Sequence, residues 1–363
     1  MRNARTLGKL ATIAAAGLLV ASCSAKTETS TGGASTTTGG STPAGSTPAT
    51  SSSTPAAPGT GKLTIGYSAW PGWFPLAVAE KQGMFKDAGL EVDLKYFVDY
   101  TASLDTLVAE QVDVNAQTLN DTIFAVSSGA KQKIVVVNDN STGNDQIICD
   151  ASIKTVEDMK GKKVAAEAGV VDHFLLLQGL EKNGLTEKDV DFQGVKTDAA
   201  AAAFEAGQFD CVGVFAPFTV QALKRSGSHA VFTSKDFPGV IPDHLVATEA
   251  AAGRAEDMTK LVKAWYATLD WIKANPAEAT KIMAEAAQVS EEEYKDFESG
   301  TTIFTAQDAV KAFEDRKGDP TSLPEMARRI NPFLVSSGLA KEEADISGIF
   351  EPTYTAEYAK AGK

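Results

Sequence analysis

The 363-residue sequence has only three histidines and three cysteines. That scarcity excludes most metal centres, because no Cys-x-x-Cys, His-x-x-x-His or acidic calcium-loop spacing occurs. No Gly-x-Ser-x-Gly elbow accompanies the adjacent Asp172-His173 pair, and no glycine-rich phosphate loop opens a helix after a strand. The chain reads as a non-enzyme that needs no cofactor. Positive charge is also in deficit, with 34 Lys and Arg against 47 Asp and Glu, for a net charge of −13. An acidic balance disfavours nucleic acid and anionic lipid as partners.

Long apolar runs are missing as well. The longest, Leu10 to Ala21, is shorter than the roughly 20 residues needed to span a bilayer. It follows Arg2, Arg5 and Lys9 and ends in Val20-Ala21-Ser22-Cys23, so 1–22 reads as a lipoprotein signal peptide with Cys23 as the lipidated residue. Acyl chains on Cys23 would hold the protein to a membrane at its extracytoplasmic face. Loss of the three leader charges takes the net charge from −13 to −16. From Cys23 to Gly61 the sequence is Ser, Thr, Gly, Pro and Ala with almost no large apolar residue, a composition expected of a disordered tether. Cys149 and Cys211 then remain. An oxidising compartment could pair them, with two buried thiols as the simpler expectation.

The remaining 302 residues, 62–363, are long enough for two lobes. Short β-branched runs alternate with helical patterns, which predicts an α/β fold with parallel strands. Strands are expected at 63–67, 91–97, 112–116 and 133–137, with helices at 74–86 and 103–110. The order returns with strands at 163–166, 190–195 and 211–215, and helices at 174–182 and 199–206. Gly89-Leu90 recurs as Gly184-Leu185, and Asp113 before the third strand recurs as Asp210. Beyond Glu249 the chain turns helical, with helices expected at 258–272, from Pro276 to Ala287 and after the N-cap Ser290. These should return to the first lobe. The domain reading is 62–149 plus 245–363 for lobe 1 and 150–244 for lobe 2, hinged around a cleft.

In open α/β lobes, ligands sit beyond the carboxyl ends of the strands. The segments there are 68–73, 99–101, 118–121 and 139–145 in the first lobe, then 167–173, 215–218 and 242–244. None contains Lys or Arg, and all contain carboxylates, amides or aromatics. Ionised carboxylates only accept hydrogen bonds, and aromatic faces attract cations. Candidate ligand contacts are Trp70, Trp73, Asp99, Tyr100, Asn120, Asp121, Asn144 and Asp145 from the first lobe, with Glu167, Asp172, His173 and Phe215 from the second. Trp70 and Trp73 would wall the pocket, and Glu167 or Asp172 would close it. A small planar cation such as guanidinium suits acceptors at its edge and rings on its faces. Backbone N–H groups at helix N-termini keep an anion open as the alternative.

Three stretches carry a family resemblance: Gly66-Tyr67 with Leu76 to Phe85, Val156 to Val164, and Ala203 to Asp210. With them the chain from Lys62 to Phe350 resembles the nitrate/sulfonate/taurine-type solute-binding proteins, which include thiamine-pyrimidine-precursor binders. Trp70 to Pro75, Asp99-Tyr100, Asn120-Asp121 and Asn140 to Asp145 are similar to the urea-carboxylase-associated branch linked to guanidine uptake. Phe215-Ala216-Pro217 departs from the Trp-x-Pro stretch of many anion binders. The resemblance implies a two-lobed type II periplasmic-binding-protein fold. It implies a monomer that delivers a solute to an ABC permease and its ATPase. The solute would be guanidinium or, alternatively, nitrate, an aliphatic sulfonate such as taurine, or bicarbonate. A pyrimidine-synthase-like enzyme is the distant alternative, but its Cys-rich iron-binding motif is absent.

Overall fold

A computed structural model describes residues 61–362. The signal peptide, Cys23 and all of the tether except Gly61 lie outside the described residues. Among the described residues eleven strands form two sheets: β1 (Leu63–Tyr67), β2 (Val92–Tyr96), β3 (Val114–Thr118), β4 (Gln132–Ser141), β5 (Asp145–Cys149), β6 (Lys163–Ala166), β7 (Asp191–Gly194), β8 (Cys211–Phe215), β9 (His229–Thr233), β10 (Pro242–Thr248) and β11 (Thr301–Ile303). The first sheet has the order β11-β4-β10-β3-β1-β2 and the second β7-β6-β8-β5-β9.

The internal echo in the sequence corresponds to a repeated structure. β1 lies between β2 and β3, and β6 between β7 and β8, all in parallel. The two aspartates perform the same task. Asp113 accepts the Thr64 N–H at 2.8 Å and Asp210 the Lys163 N–H at 2.8 Å, each pinning the start of a third strand to the first. Gly89 and Gly184 have φ of 76° and 71°, and Leu90 and Leu185 each donate back to the preceding helix from the turn that follows.

Several expectations need correction. The helix expected over 74–86 is two, Pro75–Lys81 and Met84–Asp87, because Gly83 turns the chain at φ 74°. The 139–145 loop is mostly strand: β4 runs to Ser141 and β5 starts at Asp145, leaving only 142–144 between them. β5 pairs in the second sheet and β10 in the first. The crossings between lobes therefore fall at 142–144 and 234–241, earlier than the 149/150 and 244/245 boundaries. β5 also decides the cysteines. It sets Cys149 directly opposite Cys211 on β8, and the two form a disulfide, not two free thiols.

The first lobe's apolar core includes Leu63, Ile65, Val114 and Ile134, all fully buried. The helix Ala255–Ala274 packs its buried Trp265 face on the helices Pro75–Lys81 and Met84–Asp87, so the C-terminal chain does return to lobe 1. The helices Pro276–Ala287 and Glu291–Glu298 follow as expected, the latter with a reciprocal Ser290–Glu293 capping box. Among the described residues no helix is long and apolar enough to cross a membrane.

Candidate functional site

The ends of β1, β3, β4, β5, β8 and β10 converge between the two sheets. The chain leaves β1 through Ser68-Ala69-Trp70-Pro71-Gly72-Trp73 and tucks both indoles inward, each 3% exposed. Tyr100, at the start of the helix Tyr100–Val108, and Phe215, at the end of β8, complete a ring of four aromatics. Successive centroids are 6.4 Å (Trp70–Trp73), 5.5 Å (Trp73–Tyr100), 6.2 Å (Tyr100–Phe215) and 6.3 Å (Phe215–Trp70). Three rings belong to lobe 1 and Phe215 to lobe 2. With Asp145 and Asp243 they line a tight cavity of about 10 Å³, room for about one water.

Carboxyls dominate this region. Asp121 lies in the first turn of the helix Leu119–Ser127, which Thr118 caps. It accepts from the Tyr100 and Thr118 hydroxyls at 2.8 Å each and from Asn120 Nδ2 at 2.8 Å. Asp139, on β4, accepts the Trp70 indole N–H at 2.9 Å and stands opposite Asp243 of β10. Gly72 makes this packing possible, since a Cβ there would come within 1.8 Å of Asp139 Oδ2. Asp145 begins β5, and Asp172 sits at the head of the helix Val171–Lys182. One oxygen each of Asp139, Asp145 and Asp243, and both of Asp172, have no hydrogen-bond partner among the described residues.

Burial without a counter-ion penalises an ionised carboxyl. It pushes Asp121 up to about 7, against the lowering effect of the Thr118 and Tyr100 hydroxyls. Burial also raises Asp139 and Asp145, and it holds Asp172 and Asp243 well above the carboxylate range, reinforced by neighbouring carboxyls. None of the groups that dominate these five is basic. The arrangement is a solvent-excluded set of acceptors enclosed by π faces, suited to a small cation.

The mouth differs from the cavity. The segment after β7 carries Lys196, so the strand-end loops are not all free of basic residues, as the sequence had suggested. Its ammonium bonds Asp99 Oδ1 of lobe 1 at 2.9 Å and Glu167 Oε1 of lobe 2 at 3.0 Å. Glu167, 4% exposed, also accepts from the Thr197 N–H and hydroxyl and from Thr101 of the opposite lobe. The Lys196–Asp99 and Glu167–Thr101 bonds link one lobe to the other.

Of the sequence candidates, Trp70, Trp73, Tyr100, Asp145 and Phe215 line the cavity, and Asp121 backs Tyr100. Asp172 is buried among the same carboxyls. The others stand elsewhere. Asp99 caps the helix Tyr100–Val108 and bonds Lys196. Asn120 orients Asp121. Asn144 anchors the lobe crossing to Phe297 O and Thr301 Oγ1 at 2.7 Å each. His173 stacks on Phe192 at 4.1 Å and meets Glu187 at 2.7 Å, outside the cavity lining. Asp139 and Asp243 fell within the strand-end segments 139–145 and 242–244 without being singled out, and Lys196 was missed. The first two were legible as aspartates interrupting or flanking the apolar runs of β4 and β10. Among the described residues no group of His, Cys, Asp and Glu is placed to hold a metal ion.

Comparison with known proteins bears out the fold and family. The NMT1/THI5-like family model matches residues 70–279, and the chain belongs to that family. A putative binding protein of Brucella abortus is 24% identical over 263 residues, covering 70% of this chain and 80% of the relative. The taurine-binding periplasmic protein of Escherichia coli is 30% identical over 156 residues, 42% of this chain and 48% of that protein. The crystal structure of the periplasmic aliphatic sulphonate binding protein SsuA from E. coli superposes with a TM-score of 0.66 at 19% identity. The match covers 81% of this chain and 98% of that one. The fold is the two-lobed α/β fold of periplasmic binding proteins.

Proposed function

We propose that this chain is the extracytoplasmic solute-binding component of an ABC importer, capturing a small nitrogenous cation, with guanidinium the best candidate. The observation that supports this charge class is the aromatic cavity bordered by buried carboxyls, with the Lys196 ammonium committed to Asp99 and Glu167. A guanidinium ion offers N–H donors around a planar edge and apolar faces to the rings. Closing the lobes would let Trp70, Trp73 and Tyr100 of lobe 1 and Phe215 and Asp145 of lobe 2 act on the same ion, giving the closed state its differential affinity. The reading includes a lipid anchor at Cys23, a monomeric binding protein, and a permease and ATPase as partners.

A second reading is a binder of an aliphatic sulfonate, taurine or nitrate. The names of the relatives favour it, and on kinship alone it is the stronger of the two. Around the cavity an anion would find few donors, such as the unpartnered Trp73 Nε1, and many carboxyls. Calorimetry with guanidinium chloride, sodium nitrate and taurine separates the two. Micromolar or tighter guanidinium binding with none for nitrate or taurine supports the cation reading, and the reverse pattern replaces it.

A further inference from the structure

We propose that the cavity is a proton-exchanging site, in which each solute cation displaces a proton from the buried aspartates. This deepens the cation reading and rests on it. The geometry divides the carboxyls by their donors. Asp121 has three, from Tyr100, Thr118 and Asn120, and is best equipped to stay ionised. Asp139 has one, the Trp70 indole, and faces Asp243 across the β4–β10 ladder. Asp243 keeps one oxygen without a partner and Asp172 keeps both. Carboxyls packed this closely do not all ionise, so the cluster stores protons.

Among the described residues, the groups that act most strongly on Asp139 carry no positive charge that could stand in for a proton. β10 presents Asp243 and β5 presents Asp145. The helix Glu291–Glu298 contributes the neutral Tyr294 phenol, whose ionisation is opposed by burial, then by Glu298 and Asp139. Around Asp243 and Asp172, the helices Leu119–Ser127 and Val171–Lys182 add Asp121 and Asp172, and Glu167 follows β6. Directions of titration agree: burial raises all five aspartates, and neighbouring carboxyls add to it at Asp121, Asp139, Asp172 and Asp243. A cation entering this set supplies the missing positive charge. An O–H bond of a carboxylic acid breaks, its proton passes to solvent, and the cavity's net charge is unchanged. The Asp139–Asp243 pair is the leading donor, because it meets the aromatic cavity through Trp70 and Asp243 itself.

The test is calorimetry of the full-length chain with guanidinium chloride in buffers of different ionisation enthalpy. At pH 6.5–7, the apparent binding enthalpy should vary with buffer with a slope of about one proton released. Affinity should rise with pH by up to about tenfold per unit while that proton is being displaced, then level off. Asp243→Asn, which keeps the shape and removes one acid, should bind guanidinium with a buffer slope cut at least to half. Binding with the same enthalpy in every buffer, and an affinity flat from pH 5.5 to 8.5, would overturn the exchange and leave the cation reading standing. No guanidinium binding at any pH would overturn both. Because the wild-type buffer slope decides the matter, a poorly folding Asp243→Asn leaves the test intact.

Discussion

The floor and the mouth of the cleft both use carboxylates, yet they solve opposite problems. At the mouth, Asp99 and Glu167 share Lys196 and hydroxyl or amide donors, so their charge is answered within the protein. On the floor, Asp139, Asp145, Asp172 and Asp243 keep oxygens that nothing among the described residues satisfies. The same side chain is a fastener in one place and an unmet demand a short distance away. The difference comes from the donors each strand end brings. A paired carboxylate holds two lobes together, whereas an unpaired buried one selects what is allowed between them.

The comparison breaks most clearly at Asp121. Asp121→Asn removes the best-supported negative charge, and guanidinium affinity should fall about 100-fold (~3 kcal/mol) by calorimetry. An unchanged affinity would mean that the floor does not select by charge. Gly72→Ala comes next. Its Cβ would overlap Asp139 Oδ2 and push apart the Trp70–Asp139 bond. Overpacking of this kind costs about 1–3 kcal/mol, readable as a lower urea midpoint, with a matching loss in affinity. Lys196→Met tests the mouth. Stopped-flow release of guanidinium should quicken about tenfold while the preference over nitrate stays the same. Tighter guanidinium binding in that variant would show instead that the lysine charge acts on the floor, merging the two regions.

The smallest effect is on stability against pH. Floor carboxyls titrate higher in the folded than in the unfolded chain, so the folded state binds more protons between about pH 4 and 7. Their contribution is most favourable near pH 4 and is lost as pH rises through about 7. The ligand-free melting temperature should therefore drop by a few degrees from pH 5.5 to 8, and saturating guanidinium should flatten the trend. A melting temperature that climbs over that range would place the titration elsewhere.

Much of the fold was legible because local signals and tertiary outcome agreed. β6 and β8 match the expected ranges, as does the helix Pro276–Ala287, and the repeated Gly-Leu and Asp positions reflect real backbone devices. What escaped was set by long-range pairing. β5 is a strand because β8 and β9 flank it, and the cysteine pairing followed from that register. The site was partly readable for the same reason. Indoles and aspartates at strand ends could be named, but only packing shows that His173 stacks on Phe192 while Asp243 meets Asp139. Lys196 had no signal of its own, since its importance lies in reaching both Asp99 and Glu167.

The sheet order also has a consequence for how the chain is made. The second sheet draws its five strands from one continuous stretch, β5 to β9, whereas β4 of the first must wait for β10 on the far side of that entire lobe. During synthesis the N-terminal part emerges first but cannot complete its sheet, and the later-made lobe can finish before it. Until Pro242–Thr248 leaves the ribosome, the first sheet lacks the strand that joins β4 to β3.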